Sequence, residues 1–137
     1  MTHPVVTLQS ALVGALLGDA ALVGLVGDQG VFDAPPKGRH APPHVVVERH
    51  NVAPRDGDLT PGHEHRVVLV AWSDTPSRKA VLAIVDRVLA VAMTAALDGD
   101  GLVVTHRRHE RTETTIDAKT GFARASLSLR FFSEPVG

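Results

Sequence analysis

The chain has 137 residues, of which 44% are apolar and 21% charged, and a formal net charge of −1. That length fits one domain, residues 1–137, with a modest core, and the apolar share excludes a chain that is disordered by composition. The charge balance excludes nucleic-acid binding by phosphate neutralisation, which needs a clear excess of clustered Lys and Arg, and the absence of cysteine excludes disulfides, thiolate metal sites and a cysteine nucleophile.

Met1-Thr2-His3-Pro4 carries no Lys or Arg, and Asp19 interrupts the following apolar run well short of a membrane span. A soluble protein made in the cytoplasm, without membrane contact, is the expectation. Leu8, Leu12 and Leu16 recur every four residues, and Leu22, Leu25 and Val26 continue an apolar stripe. The pattern predicts two short helices separated by Gly18-Asp19, with Asp19 capping the second, each with one face to bury. Gly27 and Gly30 stop the helical run; the tiny segment Val31-Phe32-Asp33 follows, and Pro35, Pro36, Pro42 and Pro43 hold an extended bridge.

His44 to His50 and Arg66 to Trp72 then read as two strands of an antiparallel hairpin, joined by the loop Asn51 to Gly62. Thr75-Pro76 predicts a helix start, a capping hydroxyl ahead of a proline at the first helical position. Val81, Ile84, Val85, Val88 and Ala92 form one face of a helix that ends at Asp98-Gly99-Asp100-Gly101. Leu102 to Ile116 and Thr120 to Phe132 read as a second hairpin around Asp117-Ala118-Lys119. In its later strand Ala123, Ala125, Leu127, Leu129 and Phe131 alternate with Arg124, Ser126, Ser128 and Arg130. The expected fold class is α+β: a mixed four-stranded sheet of two hairpins, a long helix packed on one face, and short N-terminal helices.

Two features suggest an unfinished surface. Val67 to Trp72 is apolar on both faces, so its second face needs a cover, either the first helix or a neighbouring subunit. A strand from Leu102 to Ile116 would run roughly 50 Å at about 3.3 Å per residue, against roughly 30 Å for the helix packed on it. The hairpin should therefore overhang its core, and the overhang begins at the polar run Thr105 to Thr114. Such a hairpin is either a solvated projection or an arm that reaches a neighbour.

Signals for chemistry are sparse. His63-Glu64-His65 places two imidazoles on one side of a strand, the only spacing that suggests a small metal-dependent enzyme; a catalytic zinc would still need a third ligand. A ligand-binding α+β domain that dimerises through its sheet is a further alternative. Asp98-Gly99-Asp100-Gly101 and Asp56-Gly57-Asp58 lack the later oxygen ligands of a calcium loop. The helical glycines have no strand before them and no Lys-Ser or Lys-Thr after, and the serines lie in no nucleophile elbow.

The stretch Ala11 to Gly27, then Val31-Phe32-Asp33-Ala34-Pro35-Pro36 and Pro42-Pro43-His44-Val45-Val46-Val47, resembles the tail terminator (tail completion, or tail-to-head joining) proteins of long-tailed phages and phage-like gene transfer agents. The likeness continues through Trp72-Ser73, the helix after Pro76 and the strand from Phe122 to Phe132; His44 stands where an aromatic residue is expected. The resemblance implies a structural virion protein with no catalytic residues, cofactor or metal. It implies a hexameric ring at the head-proximal end of the tail, which stops tube polymerisation. The partners it implies are other copies of the chain, the tube protein and the head-tail connector, with DNA passing through the channel without specific binding. On that basis the expected assembly contacts are Arg55, Asp56 and Asp58 in the loop and Arg107, Arg108 and Arg111 in the arm.

Overall fold

The computed structural model describes residues 2–36, 41–55 and 61–136. In chain order they form α1 (Pro4–Leu17), α2 (Ala20–Val26), β1 (Val31–Phe32), β2 (His44–Pro54), β3 (His63–Trp72), α3 (Arg78–Thr94), β4 (Leu102–Ile116) and β5 (Ala123–Pro135).

Pro4 occupies the first helical turn, where its missing N–H costs nothing, and the preceding His3 accepts the Val5 N–H through its side chain. Leu8, Leu12 and Leu16 are fully buried, as the four-residue spacing predicts. Asp19 caps α2 by accepting the Leu22 N–H at 3.0 Å, and the two helices bend by 80° at the Gly18-Asp19 break. The same carboxylate takes a two-pronged ion pair from Arg87 of α3 at 2.7 and 2.8 Å, which holds it well below the usual carboxylate range. Leu22 and Val26 are buried but Leu25 is 42% exposed. One residue before Val26, Leu25 lies about 100° round the helix, so the predicted stripe was one residue too wide.

The sheet has five strands in the order β1-β2-β3-β5-β4, where four were expected. The four long strands pair antiparallel throughout, and only β1, parallel to β2, makes the sheet mixed. A two-residue strand shows no alternation, so only its partner defines it: Val45 N–H donates to Gly30 O at 2.8 Å. The strands β2 and β3 run further than expected, leaving a connection of 55–62 whose neck is closed by Arg55 N–H to Gly62 O at 2.7 Å. The α3 cap is Ser77, accepting from Ala80 N–H, and not Thr75. The Thr75 carbonyl is instead drawn to the sheet, accepting from Ser73 Oγ and from Ala123 N–H.

All three helices cover one face. Leu8, Leu12, Leu16, Leu22, Val81, Ile84, Val85, Val88 and Ala92 form a single core with Val45, Val47, Val67, Leu69, Ala71, Ala125, Leu127, Leu129 and Phe131 of the strands. Helix α1 is therefore not the cover for the second face of β3. The expected overhang is absent too: β4 pairs with β5 from Leu102 to Ile116, and Val104 and Ile116, near its two ends, both pack on the core. The polar run is the edge strand of the sheet, not a free projection.

Candidate assembly interface on the open sheet face

Strand alternation fixes what the uncovered face presents. With Val67, Leu69 and Leu129 turned to the helices, Glu64, Arg66, Val68, Val70 and Trp72 of β3 and Arg124, Ser126, Ser128, Arg130, Phe132 and Glu134 of β5 face the other way. Register carries the pattern to β4, where His106 lies beside Phe132, Arg108 beside Arg130, Arg111 beside Ser128 and Glu113 beside Ser126. On β2 a bulge at Glu48 sets Arg49 beside Val68. Every glutamate of the chain, Glu48, Glu64, Glu110, Glu113 and Glu134, belongs to this face.

The charges are knitted to one another. Arg66 bridges Glu64 (3.2 Å) and Glu110 (3.5 Å), Arg130 meets Glu64 at 2.7 Å, Arg111 meets Glu113 at 3.1 Å, and Arg124 meets Glu48 at 3.0 Å. These pairs are partly exposed, and such contacts contribute little stability individually. Their effect is to hold flexible side chains in a fixed array, which lowers the ordering cost when another surface lands on them. Phe132 sits within the array, with the Arg55 guanidinium 3.9 Å above its ring, Arg130 at 4.9 Å and the His106 ring at 4.9 Å.

The face changes character toward its β1 end. Val46 and Val70 pair directly and are 7% and 1% exposed although they lie on the open side. His44 and Trp72 pair beside them, Phe32 meets His44 edge-on at 5.8 Å, and Arg124 lies 5.6 Å from the Trp72 ring. One end is thus closed over, with Val46, Val70 and His44 buried and Phe32 and Trp72 half-buried, and the other is an Arg–Glu lattice around Phe132. That combination of aromatic and Arg side chains is what protein contact surfaces favour.

Arg55, Arg108 and Arg111 all belong to this face, whereas Arg107 does not. Arg107 lies beside Phe131 on the helix side, and its Nη1 donates to Ala92 O in the last turn of α3 at 3.1 Å, an internal cap for the negative end of that helix. Asp56 and Asp58 lie outside the described residues. Sequence reasoning missed Arg66, Glu64, Phe132 and Trp72 as members of one surface. The alternation in β5 had marked Arg124 and Arg130 as its wet side, and extending that parity through the register would have found the rest.

The edge strand β4 carries bulges between Val104 and His106 and between His109 and Arg111, which twist it away from simple strand addition. Contacts there run through side chains. His63 and His65 do not form an open ligand pair: their rings lie 6.4 Å apart, and both nitrogens of the fully buried His65 are already hydrogen-bonded, to His50 and Ser133. Among the described residues no group of three metal-ligating side chains converges. Among the described residues no helix is long and apolar enough to cross a membrane alone, and the apolar faces of the bent α1–α2 pair belong to the core.

The family model described as "Tail completion protein gp17" matches residues 10–134. Among solved structures, a chain from "Virion of native gene transfer agent (GTA) particle" superposes with a TM-score of 0.84 at 25% identity, covering 97% of this chain and 99% of that one. No curated protein sequence matches the chain.

Proposed function

The chain belongs to the tail completion protein gp17 family, and on that premise we propose that it forms a hexameric ring that caps the head-proximal end of a tail tube, stops its growth and joins it to the head connector. At the coarser level it is a structural protein of a phage or phage-like tail and a component of that particle. The mechanism is interface geometry, with no turnover to explain.

One observation carries the finer reading: the part of the sheet face that holds Phe132 and the ordered Arg–Glu lattice lies uncovered by the chain's own helices. In a closed ring each copy uses two different surfaces, so the open face with its β4 edge would meet a different part of the neighbour or of the tube and connector. Arg66, Arg111, Arg124 and Arg130 are already paired with glutamates, which leaves them less available to DNA in the channel and supports passage without specific binding.

The test is the double charge reversal Arg108→Glu and Arg111→Glu. Both side chains are exposed, so the isolated fold should keep its melting temperature within a few degrees, while the reversal sets like charges against each other across the interface and disrupts assembly. Native mass spectrometry should show the ring lost. A ring of unchanged size after both reversals would remove this edge from the interface.

A further inference from the structure

We infer that His50 and His65 form an acid-sensitive lock that fastens helix α1 to the sheet. The lock rests on a continuous hydrogen-bond chain and is independent of whether a ring forms.

The chain starts on α1. Gln9 donates through Nε2 to Asp33 O at 2.8 Å, which turns its Oε1 toward His50 Nδ1 at 3.2 Å. An amide oxygen only accepts, so His50 carries its proton on Nδ1 and its Nε2 is an acceptor. That nitrogen lies 2.8 Å from His65 Nδ1, which must then be the donor. His65 Nε2 is left as the acceptor for the Ser133 hydroxyl at 2.7 Å. Each ring is neutral, with one donor and one acceptor satisfied, and the chain joins α1, β2, β3 and β5.

No position on it accepts another proton without loss. A proton on His50 Nε2 would face the N–H of His65, turning a hydrogen bond into a donor–donor clash. A proton on His65 Nε2 would displace the hydroxyl proton of Ser133, itself 1% exposed, and place an imidazolium at a site with 0% exposure. The groups acting on the pair give no relief. His3 at the start of α1 and His63 on β3 add only positive charge when protonated. Thr7 on α1, Ser133 on β5 and Val52 on β2 are uncharged, and Arg107 of β4, beyond Phe131, is a cation. The carboxylate of Asp100 shares a crevice with His63 and Thr7, outside the chain of bonds. Burial pushes both rings from the usual 6.5 down to about 4.

The sign follows. The released form takes protons between pH 6.5 and about 4 that the locked form refuses, so the lock is constant above that window and weakens as pH falls through it. Gln9 is the contact that α1 gives to the pair, so α1 is the element released.

The experiment is hydrogen exchange on the wild-type protein at pH 7 and pH 4.5, corrected for intrinsic rates, with nitrogen NMR of the imidazoles alongside. At pH 7 both rings should show the neutral form protonated at Nδ1. At pH 4.5 the opening constant of residues 4–17 should rise roughly 10²-fold for each imidazole that charges, with α1 opening more readily than α3. Unchanged α1 protection, simultaneous opening of α1 and α3, or imidazoles that charge near 6.5 with α1 still closed would each overturn the lock. None of these results bears on ring formation, which mass measurement reads separately.

Discussion

Leu12→Ala against Leu25→Ala tests the helical layer directly. Both are leucines on neighbouring N-terminal helices, but Leu12 is fully buried between α1 and the sheet, and Leu25 is 42% exposed. Truncating a fully buried leucine costs about 3 kcal/mol, from the lost transfer energy plus the cavity left behind. Leu25 keeps much of its surface in water and should cost about 0.5–1 kcal/mol. With about 2.1 cal/mol/K of unfolding entropy per residue, 137 residues give about 0.29 kcal/mol/K, so the expected losses in melting temperature are about 10 °C and about 2–3 °C. Thermal unfolding followed by circular dichroism, with the oligomer dissociated or held at fixed concentration, measures both. Equal losses for the two variants, or a near-neutral Leu12→Ala, would refute the placement of α1 over the core.

Three further outcomes follow from local geometry. Ser77→Ala removes the hydroxyl that caps α3 and should cost about 1 kcal/mol, whereas Thr75→Ala, whose contribution is through its carbonyl, should cost less; urea unfolding separates them. Gly30→Ala would bring a Cβ to 2.1 Å from Val26 O, so the chain between α2 and β1 must shift; a loss of about 2 kcal/mol is expected, and a neutral variant would contradict the tight passage. Global stability should be flat above pH 6.5 and fall toward pH 4, by on the order of 3 kcal/mol for each of the two imidazoles, and a urea midpoint that rises over the same descent would contradict buried neutral imidazoles.

Much of the fold was legible where a period was long enough to count. Leu8, Leu12 and Leu16 marked α1, Asp19 the start of α2, and the alternation from Ala123 to Phe131 the buried side of β5, because each is a local consequence of helical or strand geometry. What the sequence hid was decided by partners distant in the chain. Two residues of β1 show no pattern until Val45 is beside Val31, and Ser77 wins the cap from Thr75 because the end of the sheet claims the Thr75 carbonyl. The candidate interface was half legible: Arg108 and Arg111 were expected contacts and lie on the open face. Arg107 sits between them and β3 in sequence order but turns inward to Ala92, since a bulge beyond Val104 resets the parity of β4. The His50–His65 bond was invisible because fifteen residues and a hairpin separate the rings.

The most direct test of the account is the solution mass of the wild-type protein by light scattering over a range of concentration and salt, alone and with tail tube protein added. The account predicts a hexamer, or a monomer that becomes one when tube protein is present. A salt-insensitive dimer that ignores tube protein would contradict it.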